Sequence, residues 1–264
     1  MVSKIKKHLK IWWVLTVRLT QIAMISRIGA LLFISGKLLR FAFFLMFLLI
    51  LGAKTKVIAG YSIPQIIFTF ATFNIVDTSS QLLMREVYRF RSYVVSGEFD
   101  HFLTKPTSVL LRCLFGGSDI LDLPVLIVSI GFVIYSSLAI GNFTLLSVFL
   151  YIALLVNALI LAMSMHIIVL AMGVLTTEID HTIMIYRDIT QMGRLPVDIY
   201  KQPLSWVITF IIPVGLMMTI PAKSFFTFVS PELIVISIIT SAVFLILSLK
   251  LWRFALKNYT SISS

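Results

Sequence analysis

Long apolar runs separated by short polar segments make up most of the chain. Several of these runs reach the roughly 20 residues that a helix needs to cross a lipid bilayer. The apolar residues are continuous within each run, which is typical of helices surrounded by lipid or by other helices. The pattern therefore predicts an all-α polytopic membrane protein with about six transmembrane helices. The predicted spans are residues 30–52, 63–84, 119–140, 144–170, 173–193 and 232–251.

The segment between the fourth and the last span admits two interpretations. Residues 173–193 carry several charged side chains, whereas residues 204–221 are more apolar but contain Pro213 and Pro221. Proline interrupts a helix because it lacks the backbone N–H and its ring clashes with the preceding turn. Broken helices at membrane depth are nevertheless tolerated where protein surrounds them. The pattern alone leaves open which segment supplies the fifth crossing.

The N-terminal segment, residues 4–27, carries basic side chains and no acidic ones, with Trp12 and Trp13 in the middle. Tryptophan favours the membrane interface, and lysine extends its ammonium group toward the same layer. We predict an interfacial helix that lies along the cytoplasmic leaflet and leads into the first span. A plain cytoplasmic tail is the alternative interpretation.

A short polar stretch, residues 97–106, separates the second and third spans. Gly97 ends one helix, and a proline at position 106 disfavours a helical residue before it. Between them Phe99, Phe102 and Leu103 recur at i, i+3 and i+4, which predicts one apolar helix face. The flanking charges are net basic, which indicates the cytoplasm, and two acidic residues favour a protein partner over an anionic lipid surface. The residues predicted to serve that contact are Gly97, Glu98, Phe99, Asp100, Phe102, Leu103, Lys105 and Pro106.

Four polar residues fall within or beside the predicted spans: Asn74, Asp77, Asp119 and Asp122. A charge inside a membrane is costly and usually faces protein or a water-filled path. Asp77 can therefore pair with a neighbouring helix or line a substrate path. Asp119 and Asp122 lie on one helix face, where they can pair with the arginines that follow the second span. Proton transfer or metal binding by these two carboxylates is the alternative interpretation, but no histidine lies at a spacing that would complete a metal site with them.

The composition agrees with a membrane protein, since 59% of the 264 residues are hydrophobic and only 12% are charged. The net charge of +11 is interpreted as the excess of basic residues in cytoplasmic loops and not as a nucleic-acid surface. Both ends of the chain are basic, so we predict that both termini are cytoplasmic.

The chain carries no recognisable catalytic motif. The Gly36-Lys37 pair is followed by Leu38 and lies in a span, so it does not form a phosphate-binding loop. The spacing of Glu178 and His181 suits a metal pair on a helix, but it has no second copy, and we predict no metal site. The single cysteine, Cys113, cannot form a disulfide within the chain.

Two stretches resemble a known family. The run G-E-F-D-H-F-L-T-K-P at residues 97–106 resembles the G-x-L-D-x-x-L-x-x-P loop of bacterial type-2 ATP-binding-cassette (ABC) exporter permeases. Residues 194–222 resemble the proline-rich segment that precedes the last span in that family. The two stretches agree with the family in order and spacing. Leu195 stands where the family often has an aromatic residue, and Pro203 is shifted by one position.

The resemblance implies a single transmembrane permease domain over residues 1–264, in the bacterial plasma (inner) membrane. It implies that two permeases, of the same or related sequence, form the export path and that two ATPase subunits dock at residues 97–106. ATP and Mg²⁺ would belong to those subunits, so no cofactor is expected on this chain. It also favours residues 173–193 as the fifth span and residues 195–223 as a re-entrant segment on the outer side.

Two other classes of function compete with an exporter. One is a membrane protein that does not transport, such as an immunity or assembly protein that binds a partner within the bilayer. The other is a proton-coupled carrier, which needs ionisable residues deep in several spans, whereas only Asp77 and the predicted fifth span supply any. The sequence does not name the substrate, and drugs, peptides, lipids and glycans all agree with the resemblance.

Overall fold

The computed structural model describes residues 2–55, 57–141, 143–176 and 179–260. Within these ranges the chain forms helices and one two-stranded hairpin. The elements are α1 (Val2–Ile25), α2 (Arg27–Lys54), β1 (Val57–Ile58), β2 (Tyr61–Ser62), α3 (Ile63–Leu83), α4 (Phe90–Val95), α5 (Glu98–Leu103), α6 (Val109–Phe115), α7 (Leu123–Ile140), α8 (Leu145–Thr176), α9 (Ile179–Gln191), α10 (Leu204–Trp206), α11 (Ile220–Phe226) and α12 (Pro231–Lys257). Short 3₁₀ turns cover Arg85–Arg89, Ile120–Asp122, Met192–Arg194 and Val197–Ile199, and π-helical turns cover Val207–Ile211 and Gly215–Thr219.

Four helical segments are long and apolar enough to cross a bilayer: α2, the stretch Ile120–Ile140 that contains α7, α8 and α12. Their outer surfaces are apolar, and Phe43, Phe149 and Ile239 are each more than half exposed. Such large exposed apolar surfaces are unfavourable in water and are expected where lipid surrounds a helix. The chain is therefore a multi-pass membrane protein.

Helix α3 is the most enclosed of the long helices and packs against α2, α7 and α8. Its buried face contains the aromatic side chains of Phe68, Phe70 and Phe73. The helix begins after Ser62, whose backbone N–H donates to Gln65 Oε1 at 2.9 Å and so satisfies one of the free donors at the helix start. Because protein and not lipid surrounds it, α3 can carry more polar residues than its neighbours.

Helices α8 and α12 form a close pair. Three serines of α12, Ser237, Ser241 and Ser248, are almost fully buried, and small residues allow helix backbones to approach closely within a membrane. The Asn157 side chain of α8 donates from Nδ2 to Ser237 Oγ at 3.0 Å. A polar contact of this kind fixes the register between two otherwise apolar helices.

Five of the predicted spans fall on single helical segments. Residues 30–52 lie in α2, 63–84 cover α3, 119–140 cover the segment that contains α7, and 232–251 lie in α12. The span predicted over residues 144–170 falls on α8 except for residue 144, since α8 begins at Leu145. The N-terminal segment, predicted as a helix over residues 4–27, is helical as α1, which ends at Ile25. Ser26 caps the next helix by accepting a hydrogen bond from the Gly29 N–H at 3.2 Å.

The predicted helix over residues 173–193 is wrong in its bounds. Residues 173–176 are the end of α8, which continues for 32 residues because Leu170, Ala171 and Val174 pack into a buried cluster with the loop that follows α3. A separate helix, α9, begins at Ile179 and has 13 residues, which is about 20 Å of rise. That is less than the roughly 30 Å of hydrocarbon, so any crossing here must include residues 192–199 as well.

Residues 204–226 form two helical arms that meet at an angle of 75°. The break falls at Pro213, which cannot donate a backbone hydrogen bond and therefore ends the first arm. The second arm packs back on the preceding segment, because the Val197 N–H donates to Thr219 Oγ1 at 3.0 Å. A sharply bent pair is the geometry of a broken span or a re-entrant segment.

A β-hairpin joins α2 to α3 and was not predicted from the sequence. Val57 pairs with Ser62, and Ile58 pairs with Tyr61. The two turn residues, Ala59 and Gly60, both have positive φ, at 50° and 88°, which matches the right-handed twist of short hairpins. Strands of only two residues carry too little alternation to be recognised from sequence.

Candidate functional site

The loop after α3, which the sequence predicts to be cytoplasmic and to bind a partner, contains three short helices, α4, α5 and α6. Gly97 separates α4 from α5 and adopts φ 75°, in the left-handed region. A side chain at this position would meet nothing within 4 Å, so the backbone angle and not the available space favours glycine here. The tight turn folds α5 back onto its own chain.

The aromatic residues of α5 do not point outward, which corrects the expectation of an apolar face presented to a partner. Phe99 is fully buried, with its ring centroid 5.0 Å from that of Phe90 and 5.0 Å from that of Tyr259. Phe102 is half-buried, 5.2 Å from the Tyr93 ring. Aromatic rings bury large apolar areas, so their own chain gains stability by covering them. Leu103 remains exposed at 39%.

The residues of α5 that are left accessible are mostly polar. Glu98, His101 and Lys105 are exposed, as are Leu103 and Pro106. Asp100 is half-buried because its Oδ1 accepts a hydrogen bond from the Tyr259 hydroxyl at 3.0 Å. Burial, together with that hydrogen bond, raises the pKa of Tyr259 to about 12. The loop helix is thereby fixed to the C-terminal end of α12.

A buried carboxylate, Glu86, holds the other side of the loop group. Glu86 is 1% exposed, and its two oxygens accept from Tyr93 Oη at 2.7 Å and from Arg89 Nη1 at 3.2 Å. Burial and the hydrogen bond to Glu86 raise the pKa of Tyr93. The short turn after α3 and helix α4 are thus connected through one fully paired carboxylate.

The polar residues of the predicted spans meet in a network between α2, α3 and the start of α7. Lys37 forms a salt bridge with the fully buried Asp122, and its Nζ also donates to Gln81 Oε1 at 3.1 Å. The Gln81 amide in turn donates to Asp77 Oδ2 at 2.8 Å. The structure therefore brings Asp77 and Asp122 together through Lys37 and Gln81, which favours the interhelix interpretation of both carboxylates.

Of the other two predicted polar residues, Asp119 joins this network through Arg85, whose Nη1 donates to Gln81 Oε1 at 3.4 Å, whereas Asn74 lies outside it. Asp119 pairs with Arg85, with 3.3 Å between Oδ2 and Nε. Asn74 donates to the Phe70 carbonyl of its own helix at 2.8 Å. Sequence reasoning missed Lys37 and Gln81 as partners, although a lysine inside a span was itself a signal that an acidic partner lay nearby.

A cavity of about 60 Å³ opens beside this network and is lined by aromatic and basic side chains of α2, α3 and the segment that follows α8. Arg40 donates to Gln191 Oε1 at 2.8 Å. The Arg194 guanidinium lies 5.2 Å from the Phe44 ring centroid and 5.8 Å from that of Phe73. Arg187 completes the basic lining. None of these basic residues was predicted as part of a site.

At the other end of α3 from the loop group, Asp198 forms a cluster with Tyr61 and Lys223. Its Oδ2 accepts from the Tyr61 hydroxyl and lies 2.7 Å from Lys223 Nζ. Burial alone raises the pKa of Asp198, but the hydrogen bonds from Lys223 and Tyr61 and the Lys223 charge outweigh it and lower that pKa. The cluster connects the hairpin, the segment after α9 and the second arm of the bent pair.

Within the described residues, no three histidine, cysteine or acidic side chains lie close enough to hold a metal ion. Glu178, one half of the spacing noted in the sequence, lies outside the described residues. Cys113 is buried, and burial raises the pKa of its thiol. A thiol that stays protonated reacts slowly, so the geometry gives this cysteine no catalytic character.

The fold and these contacts define a multi-pass membrane protein with a packed group of short helices between α3 and α7. Comparison with known proteins identifies the family, because the sequence model of the ABC-2 family transporter proteins matches residues 38–263. The chain belongs to that family, whose members are the membrane components of ABC transporters and lack an ATPase site of their own. No curated protein and no solved structure matches the chain.

Proposed function

We propose that this chain is the permease subunit of an ATP-driven exporter, working as a pair of permeases with two ATPase subunits. The observation that carries the proposal is the way α5 is fixed to its own chain. Phe99 is buried and Phe102 is half-buried against the same chain, while Glu98 and His101 are exposed, so α5 is both held by its own chain and accessible. The chain has no phosphate-binding motif, and the family implies partnership with ABC ATPase subunits.

The ATPase contact in this proposal is polar, unlike the apolar contact expected from the sequence. Glu98, His101 and Lys105 would meet the ATPase, with Leu103 as the apolar contact. Interfaces of this kind are polar at the rim and depend on a few central residues for most of their binding energy.

Movement of α5 has two routes into the membrane. The Phe99 ring contacts Phe90, whose helix continues through the Glu86 turn into α3. The same ring contacts Tyr259, at the end of α12. Closure of the ATPase pair on ATP would therefore bias both helices at once, which is the kind of two-state element that coupling between distant sites requires.

We propose six crossings with both termini in the cytoplasm. The segment that begins with α9 supplies the fifth, because its two ends contact opposite ends of α3. Asp180 pairs with Arg91, just beyond the cytoplasmic end, and Asp198 contacts Tyr61, just before the outer end. Residues 204–226 would then enter from outside and return, with the 75° bend at their deepest point.

The proposal is tested by expressing the chain with each ABC ATPase of its own genome in turn, to find the partner ATPase, and purifying the complex in lipid nanodiscs. We expect the ATPase to co-purify and to hydrolyse ATP, and we expect a Glu98→Lys variant to lose the ATPase while remaining in the membrane. An ATPase that never co-purifies with the intact permease would contradict the proposal and would favour a membrane protein that does not transport.

A further inference from the structure

The basic cavity beside α3 contains more positive than negative charge at membrane depth. Arg40 lies near the middle of the 28-residue α2, about 20 Å of rise from either end. Arg40, Arg187 and Arg194 line the cavity together with one carboxylate that faces it, Asp77. Lys37 also lines it but is already paired with Asp122. Among the described residues, no carboxylate lies within salt-bridge distance of any of the three arginines.

Arg194 has an unsatisfied donor in this cavity. Its Nε is buried and has no hydrogen-bond partner among the described residues, while its guanidinium lies against the rings of Phe44 and Phe73. A buried charged donor without a partner is costly, and an acceptor that enters the cavity recovers that cost. Arginine also presents several N–H groups in a planar fork that matches phosphate and carboxylate oxygens.

An apolar groove continues from the same arginines toward the lipid-facing side of α2. Its volume is about 580 Å³, and it is lined by Gly36, Leu39, Arg40, Phe43, Phe44, Phe47 and Arg194. Arg40, Phe44 and Arg194 are shared with the cavity. The basic cavity and the apolar groove thus form one continuous surface, with positive charge at one end and apolar side chains at the other.

We propose that this surface binds an anionic amphiphile from the bilayer. Its acidic headgroup lies between Arg40 and Arg194, and its apolar tail lies along Phe43 and Phe47. The inference rests on the export function proposed above, and it makes acidic membrane amphiphiles the substrate class. A second copy of the chain is a poorer occupant, because it would bring its own arginines toward these and add repulsion unless an anion lay between them.

The test titrates the purified full chain, held in neutral detergent, with phosphatidylglycerol and with phosphatidylcholine of the same acyl chains. Glycerol phosphate serves as the headgroup without tails. Two variants remove charge from the site, Arg40→Gln on the exposed side and Arg194→Gln inside. Arg253→Gln, an exposed arginine near the end of α12, is the matched control. Thermal unfolding of each variant shows whether its fold is intact.

We expect phosphatidylglycerol to bind about tenfold more tightly than phosphatidylcholine. Its affinity should exceed that of glycerol phosphate by more than about tenfold, because glycerol phosphate has no tails to lie in the groove. Arg40→Gln and Arg194→Gln should each remove most of this preference, whereas Arg253→Gln should keep it. Equal affinity for the two lipids, an unchanged preference in Arg40→Gln, or an equal loss in Arg253→Gln would overturn the proposal. Glycerol phosphate binding as tightly as the lipid would overturn the role of the groove.

The binding measurement needs no ATPase, so its result is independent of the export function. Failure of the ATPase to co-purify would remove the exporter and leave the amphiphile site in place. Failure of phosphatidylglycerol to bind would remove the site and leave the partnership with the ATPase untouched.

Discussion

The Tyr259 hydroxyl donates a 3.0 Å hydrogen bond to the Asp100 carboxylate, although 159 residues separate the two along the chain. Together with the contact between the Tyr259 and Phe99 rings, it fixes the loop helix α5 to the segment that follows the last membrane helix. A displacement of α5 therefore acts on the last helix as well as on the helix that immediately precedes the loop.

Removing only this hydrogen bond should weaken coupling without disturbing the fold. Tyr259→Phe keeps the ring against Phe99 and loses a bond to a charged acceptor, whose net contribution is about 1.5 to 3 kcal/mol. We expect normal membrane insertion, normal binding of the ATPase, and less transport for each ATP hydrolysed. Tyr135→Phe is the matched control, because Tyr135 is 63% exposed on α7. An unchanged ratio of transport to ATP hydrolysis in Tyr259→Phe would show that the bond plays no part in coupling.

The same bond should raise the pH at which the Tyr259 hydroxyl ionises. Free tyrosine ionises near pH 10, whereas burial and the bond to Asp100 raise the pKa of Tyr259 to about 12. Because the folded value is the higher one, the stabilisation is complete below about pH 10 and is lost as the pH rises through about 12. The phenolate absorbance of the wild-type protein minus that of Tyr259→Phe measures this step. A midpoint at the free-tyrosine value would show that the hydroxyl is not bonded.

Substitutions in α5 should have different effects at buried and at exposed positions. Phe99→Ala removes a fully buried aromatic ring and should destabilise the protein by about 3 to 5 kcal/mol, seen as lower yield and a lower unfolding temperature. Glu98→Lys changes an exposed residue and should leave the unfolding temperature unchanged while the ATPase no longer co-purifies. If both variants lost only the ATPase, then Phe99 would face the partner after all.

Cys113 should resist a maleimide at neutral pH in the folded protein. Burial excludes the reagent and raises the pKa of the thiol, so little of the reactive thiolate is present. We expect labelling only after denaturation, whereas Thr104→Cys, at an exposed loop position, should label at once in detergent. Rapid labelling of the native chain at Cys113 would show that the loop group opens.

Topology can be read with the same chemistry in a Cys113→Ser background. Lys201→Cys lies in the exposed segment after α9 and should react with an impermeant reagent added outside intact cells. Thr104→Cys should react only after the membrane is opened. Access to Lys201→Cys from the cytoplasm alone would make residues 204–221 the fifth of the six crossings. It would overturn the assignment of the segment that begins with α9 to that crossing.

The apolar runs predict most of the helices because a membrane helix must satisfy its backbone hydrogen bonds internally, so length and hydropathy alone nearly determine it. Residues 232–251 illustrate this, since they fall inside one continuous helix, α12. Residues 173–193 do not fall inside one helix, because the end of α8 is determined by its packing against the loop after α3. Packing of that kind depends on residues that are distant in sequence.

The sequence predicts a short helix in the loop after the second span, but not which of its side chains the rest of the chain covers. The period of Phe99, Phe102 and Leu103 predicts one apolar helix face, but periodicity does not say whether a partner or the same chain covers each residue of it. Tyr259, which covers Phe99, lies 160 residues away. The cavity arginines were missed for a related reason, since Arg40 and Arg194 become neighbours only when α2 packs beside the segment after α9.

The length of α8 has a consequence for how the protein meets membranes of different thickness. Its 32 residues rise about 48 Å, whereas the hydrocarbon layer is about 30 Å thick, so roughly a third of the helix lies beyond the hydrocarbon. Its last turns, from Ile167 to Val174, pack in one buried cluster with the loop group and with Trp252 of α12. A thinner or thicker bilayer would thus change the height of the loop group above the headgroups. The packing within the loop group would stay the same, because α8 acts as a spacer of fixed length.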